Sequence, residues 1–193
     1  MNRHAKNVII SGSPGAWGNV VAKLLAKEGW KICWKNQDLN IRNGVRYFEC
    51  NGENVEVENI HRYLDTTCNC SRYSKDLPVY LDVPYPGPVE FIQQFGEHPV
   101  VIYSRSIAPC LQLWKPAADI VIDVRATEEE DLQAMQDEVG ERLSFAQLVE
   151  IRQHQLDRYS LHLKLFSKVF TMTNAEVKDG RFKLLMEFLN SVI

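Results

Sequence analysis

The stretch VIISGSPGAWGN, residues 8–19, places an apolar, β-branched run directly before a glycine-rich loop. Apolar residues then repeat with helical period until Gly29 ends the pattern. These apolar residues are Val20, Val21, Leu24 and Leu25. The stretch therefore predicts a strand at residues 7–11, a glycine loop, and a helix over about residues 17–28.

Apolar runs and helical patterns alternate along the rest of the chain. Strands are predicted for WKICWK (30–35), LPVYLDVP (77–84), HPVVIYSR (98–105), ADIVIDVR (118–125) and KVFTMTN (168–174). Helices are predicted for residues 87–96, for residues 128–166 with an interruption at Gly140 and at residues 143–144, and for residues 180–192. This alternation predicts a three-layer α/β fold, with a mostly parallel central sheet covered by helices on both faces.

One segment departs from this alternation. In NGVRYFECNGENVEV, residues 43–57, Asn-Gly pairs at 43–44 and 51–52 flank alternating residues. Asn-Gly favours the tight turns of β-hairpins. The segment predicts a hairpin or paired edge strands beside the main sheet.

Length and charge exclude several classes of protein. With 193 residues, 45% of them hydrophobic, the chain predicts one core and one domain over residues 1–193. The net charge of -3 gives no general basic field, so binding to nucleic acid is not expected. No stretch approaches the roughly 18 apolar residues that span a bilayer, and we expect a cytoplasmic protein that does not bind membranes.

The cysteines do not indicate a metal site. Their number is five, which favours reduced thiols in a chain without a secretory signal. Cys68 and Cys70 form a C-x-C pair, but no second pair has ligand spacing. We therefore predict no metal ligands among them.

Polar residues at the carboxyl ends of the predicted strands are the candidate site, because ligands of open parallel sheets bind there. The candidate ligand-binding residues are Gly12, Ser13, Pro14, Gly15, Ala16, Trp17, Gly18 and Asn19. The candidate catalytic residues are Asp82, Arg105 and Arg125. In a catalytic protein, Asp82 would organise a cation or accept a proton, and the two arginines would stabilise transferred charge.

The segment GSPGAWGNVVAKLLAKEG, residues 12–29, resembles the P-loop segment of small nucleotide and dephospho-coenzyme A kinases, GSPGSGKSTLAKLLAKELG. Residues 118–132 are similar to the kinase strand that leads to the lid, residues 148–159 to the following helix, and residues 168–174 to the final strand. The resemblance implies a P-loop-type fold and binding of ATP with magnesium.

The chain departs from the P-loop pattern at three positions. Trp17 replaces the second glycine, Gly18 the lysine, and Asn19 the hydroxyl residue that binds magnesium. The remaining backbone donors and the helix N-terminus predict binding of a phosphorylated ligand in a changed mode. The lid region, residues 127–141, is acidic and has no lysine or arginine. We interpret this run as a solvated helix face.

Two alternatives stay open. The segment SGSPGAWGNVVAKLL, residues 11–25, is also similar to SGSPRSGTTWLAKLL of sulfotransferases, which use 3'-phosphoadenylyl sulfate without magnesium, although Gly15, Gly18 and Asn19 depart from it. If the chain is an enzyme, these resemblances imply a phosphoryl or sulfuryl transferase. The other alternative is a non-catalytic protein that binds a protein partner on a P-loop scaffold.

Overall fold

The computed structural model describes residues 7–34, 40–42, 45–50, 53–56, 100–103, 111–112 and 114–193. Within these ranges the strands are β1 (Val8–Gly12), β2 (Lys31–Trp34), β3 (Asn40–Arg42), β4 (Val45–Cys50), β5 (Glu53–Glu56), β6 (Val100–Tyr103), β7 (Ile120–Arg125) and β8 (Lys168–Thr173). The helices are α1 (Gly18–Lys27), α2 (Glu128–Val139), α3 (Phe145–Leu163), α4 (Asn174–Lys178) and α5 (Phe182–Val192), with a 3₁₀ turn at Gly140–Arg142. The strand predicted at 77–84 and the helix predicted at 87–96 lie outside the described residues.

Five strands form one sheet in the spatial order β2-β6-β1-β7-β8, so the strand that precedes the glycine loop lies in the middle. Every neighbouring pair in this sheet is parallel. Both faces of β1 and β6 are buried, which explains why their sequences are continuous apolar runs rather than alternating ones. The predicted parallel core sheet is confirmed.

Helices cover the two faces of this sheet. On one face, Ile10 of β1 packs in a buried cluster with Leu25 of α1 and Leu185 of α5. Side chains alternate along a strand, so Asp123 of β7 points to the opposite face. There it accepts a hydrogen bond from Tyr159 Oη of α3. The predicted three-layer α/β fold is therefore confirmed.

A second, smaller sheet contains β3, β4 and β5 in that order. Both pairs are antiparallel, and in the second pair Phe48 lies opposite Val55 and Cys50 opposite Glu53. The hairpin predicted from the Asn-Gly pairs is confirmed, as is its separation from the parallel sheet.

Local signals define the start of α2 and of α3. Each begins with a capping box, formed by Thr127 with Glu130 and by Ser144 with Gln147. Gly140 has a φ of 59°, a backbone conformation that favours glycine, and it ends α2. The predicted interruption of the long helical stretch is confirmed.

No helix in the described ranges is long and apolar enough to span a lipid bilayer. Over the same part of the chain, no three side chains of His, Cys, Asp or Glu lie together in a way that could hold a metal ion. Cys68 and Cys70 lie outside the described residues.

The packing of α5 on the sheet predicts unequal effects of substituting two adjacent leucines. Leu185 is fully buried, whereas its neighbour Leu184 is 50% exposed. Leu185→Ala should lower the free energy of unfolding by about 2–5 kcal/mol, because it leaves a cavity in the core. Leu184→Ala should change it by less than about 0.5 kcal/mol. Urea unfolding of both variants measures the difference, and equal losses would contradict the described face of α5.

Candidate functional site

The candidate site lies at the carboxyl edge of the parallel sheet, between β1 and β7. These two strands are neighbours, but the chain leaves β1 through α1 towards β2 and leaves β7 through α2 and α3 towards β8, on opposite sides of the sheet. Ligands of open α/β sheets bind where connections diverge in this way. The glycine loop, residues 12–17, follows β1 at this point.

Each of the three glycines in the segment 12–19 closely approaches a different part of the protein. An ideal Cβ built on Gly12 would lie 2.0 Å from the carbonyl oxygen of Val124 in β7, and one built on Gly15 would lie 2.5 Å from the carbonyl oxygen of Glu130 in α2. A Cβ on Gly18 would lie 2.6 Å from Cε2 of Tyr103 in β6. The close approaches therefore require glycine at these positions for packing within the protein.

Protein groups also bind the backbone amides of the loop. The Gly15 N–H donates to Oδ1 of Asp131 at 2.9 Å, and the Trp17 N–H donates to Oδ1 of Asn174 at the same distance. The Asn174 side chain in turn donates to the Gly15 carbonyl oxygen at 3.1 Å. The Ala16 N–H donates to the Ser13 carbonyl. Several donors that a phosphate cradle would use are thus engaged within the chain.

Asp131 is a fully buried carboxylate in the first turn of α2. Arg152 of α3 donates to it through Nε at 3.0 Å, and the amides at the start of α2 favour a negative charge there. A buried charge needs such partners because it has lost its water. The interpretation of the acidic run as a solvated face holds for Glu128, whose side chain is 63% exposed, and is wrong for Asp131.

The start of α1 differs from the starts of α2, α3 and α4. Those three helices begin with capping boxes, whereas no side chain caps α1 and its first turn has no acidic residue. The N–H groups of Val20 and Val21 bond to the Trp17 carbonyl. Within the described residues, the N–H groups of Gly18 and Asn19 have no hydrogen-bond partner. Trp17, the residue before them in the chain, is 36% exposed.

A second polar group lies on the face covered by α3. The buried Asp123 carboxylate accepts hydrogen bonds from Arg125 Nε at 2.7 and 2.8 Å, from Tyr159 Oη at 3.0 Å and from Thr171 Oγ1 at 3.3 Å. Arg125 also lies over the Tyr159 ring, with Cζ 5.1 Å from the ring centroid. These contacts hold the Asp123 charge in place at the end of β7.

The surroundings of Tyr159 keep its phenol protonated. Burial raises the pKa of Tyr159 well above 10.0, and the nearby negative charge of Asp123 raises the pKa further. Tyr159 therefore acts as a hydrogen-bond donor to Asp123 throughout the neutral range.

The structure brings only part of the predicted site together. The loop residues 12–19 and Arg125 lie at the same edge of the sheet, while Asp82 and Arg105 lie outside the described residues. The catalytic roles assigned to these side chains stay predictions. The sequence did not indicate that Asp131 is buried and binds the loop, because its partner Arg152 lies 21 residues further along the chain.

No protein-family model matches this sequence, and no curated protein matches it. Among solved structures, the crystal structure of an uncharacterized protein from Eubacterium ventriosum is similar with a TM-score of 0.46 and 10% sequence identity, covering 96% of this chain and 99% of that chain. The chain is not assigned to a family by these findings.

The contact between the loop and α2 predicts a large effect at Asp131. Asp131→Ala leaves the Gly15 amide and the Arg152 guanidinium without their acceptor, and should lower the free energy of unfolding by about 3 kcal/mol. Asp131→Asn keeps an acceptor for Gly15 and should lose less. Asp137→Ala, an exposed position of the same helix, should lose less than about 0.5 kcal/mol. If denaturant unfolding gave equal losses of stability for Asp137→Ala and Asp131→Ala, this role of Asp131 would be contradicted.

The buried phenol predicts a pH dependence. Because the folded-state pKa of Tyr159 is raised, its contribution to stability is complete below the unfolded pKa of about 10 and is lost as the pH rises above that value. Tyr159→Phe keeps the ring but removes the bond to Asp123, and should cost about 1.5–3 kcal/mol at pH 8. The difference between the two proteins should narrow above pH 10. A constant difference, measured by urea unfolding from pH 8 to 11, would rule this out.

Proposed function

We propose that the protein binds a small phosphorylated ligand, such as a nucleotide, at the start of α1. The observation that carries this proposal is the pair of unpartnered amides at Gly18 and Asn19, which follow the central strand at the point where the connections diverge. An uncapped helix start attracts anions through its N–H groups and its dipole. The resemblance of residues 12–29 to a P-loop supports the same location.

The proposed site makes fewer contacts with a phosphate than a P-loop does. Gly18 has no side chain to neutralise the β- and γ-phosphates, and a Cβ at this position would already meet the Tyr103 ring. The amides of Gly15 and Trp17 donate to Asp131 and Asn174 rather than facing a ligand. We therefore propose weak binding that does not support efficient phosphoryl transfer through this loop.

A second candidate function is that of a non-catalytic scaffold for a protein partner. The packing of the loop glycines against Val124, Glu130 and Tyr103 favours it, since these contacts explain the glycines without any ligand. The two candidates differ in one respect that is simple to measure: only the first requires an anion to bind the folded protein.

Thermal unfolding tests the proposal. The midpoint should be measured with ATP and magnesium, with ATP without magnesium, with 3'-phosphoadenylyl sulfate and with inorganic phosphate, at constant ionic strength. A ligand at ten times its Kd adds about 1.4 kcal/mol of stability, which raises the midpoint of a chain of this size by about 3–5 °C. A shift only with 3'-phosphoadenylyl sulfate would favour the sulfotransferase alternative. No shift at millimolar concentrations would favour the scaffold.

A matched pair of variants locates the site. Asn19→Asp adds a carboxylate to the first turn of α1, where it should repel a phosphate while the helix dipole preserves the stability of the free protein. Asn190→Asp makes the same change at an exposed position of α5. The midpoint shift should vanish in the first variant and persist in the second. A shift that survives Asn19→Asp would place the ligand elsewhere.

A further inference from the structure

The inner edge of the Arg125 guanidinium is fixed in place. Its Nε donates to both carboxylate oxygens of Asp123, which is 1% exposed. The ring of Tyr159 supports the guanidinium from one side, at 5.1 Å from Cζ to the ring centroid. Tyr159 and Thr171 also donate to Asp123 and so hold the carboxylate itself. The guanidinium is therefore oriented by groups that are themselves buried or bonded.

The outer edge of the same guanidinium is formed by Nη1 and Nη2, and it makes no hydrogen bond within the described part of the chain. Neither Nη1 nor Nη2 of Arg125 forms a hydrogen bond with a described residue, and the side chain is 28% exposed. Arg152, by comparison, is 13% exposed, donates to Asp131 through Nε and lies 3.6 Å from Glu128 through Nη1. Arg125 thus presents two parallel donors at the sheet edge, in an orientation set before any ligand arrives.

We infer that the outer edge of Arg125 is an oxyanion subsite, which binds the carboxylate or phosphate group of a small molecule through a bidentate pair of hydrogen bonds. A guanidinium fork matches the spacing of two oxygens of either group. Holding the fork rigid reduces the entropy that binding would otherwise cost. Its place at the carboxyl end of β7, beside the end of β1, is where small ligands of parallel sheets bind. The Asp123 charge weakens the attraction, so we expect millimolar affinity. This subsite does not depend on the proposed anion site at α1.

The subsite can be observed directly by NMR. Inorganic phosphate and then acetate should be titrated into ¹⁵N-labelled protein at constant ionic strength, following the Nε–Hε signals of the arginines. The Arg125 signal should shift and saturate with both anions. Arg181 is the control, because it also lies over an aromatic ring, that of Phe170, and is more exposed, at 40%, but its Nη1 already pairs with Glu176. If the chemical shift of the Arg125 signal changed linearly with anion concentration, and by the same amount as that of Arg181, the inference would be overturned.

Two variants complete the test. Arg125→Lys keeps a positive charge beside Asp123 but loses the fork, so the Kd for phosphate, followed at the Ala126 and Thr127 amides, should rise about tenfold. An unchanged Kd would overturn the inference. In Asn19→Asp the Arg125 shift should persist, since the subsite is separate from α1. Loss of the Arg125 shift in that variant would overturn the claim of a separate subsite, whereas failure of the α1 site alone would leave it standing.

Discussion

The hydrogen bond from the Gly15 amide to the buried Asp131 carboxylate connects the loop after β1 to the helical layer on the far face of the sheet. Arg152 binds the same carboxylate from α3, so one acidic side chain joins the loop, α2 and α3. A glycine loop that turns its amides inward needs an acceptor to satisfy them. Here the chain supplies that acceptor itself, and the helices after β7 are held where the carboxylate can reach the loop.

This arrangement explains how the chain can resemble a phosphate-binding loop while differing from one at its most specific positions. The side chains of Asp131 and Asn174 accept the hydrogen bonds that the amides of Gly15 and Trp17 donate. The first turn of α1 is the part of the loop region that keeps unpartnered amides among the described residues. An anion site of reduced size is consistent with both observations, and it is why we separate ligand binding from phosphoryl transfer.

Much of the fold could be predicted from local sequence. The apolar runs of β1 and β7 are buried on both faces, and this single physical condition produces a pattern that is readable without a structure. The antiparallel pairing of β3, β4 and β5 and the end of α2 at Gly140 have signals in the nearby sequence, and they were also predictable. Asp131 was not. Its sequence context, between acidic neighbours, is that of a solvated helix start, and its burial depends on an arginine in another helix.

Whether the glycines allow a ligand or another part of the protein to approach could not be predicted, for a related reason. A missing side chain permits a close approach, but the sequence does not say whether a ligand or the protein makes it. At Gly12, Gly15 and Gly18 the approaching groups belong to β7, α2 and β6. Substitution at any of the three would disturb a different interface, whether or not a ligand binds. Selection for folding alone would therefore preserve this glycine spacing, and a chain that lost its ligand long ago would still carry the outline of the motif.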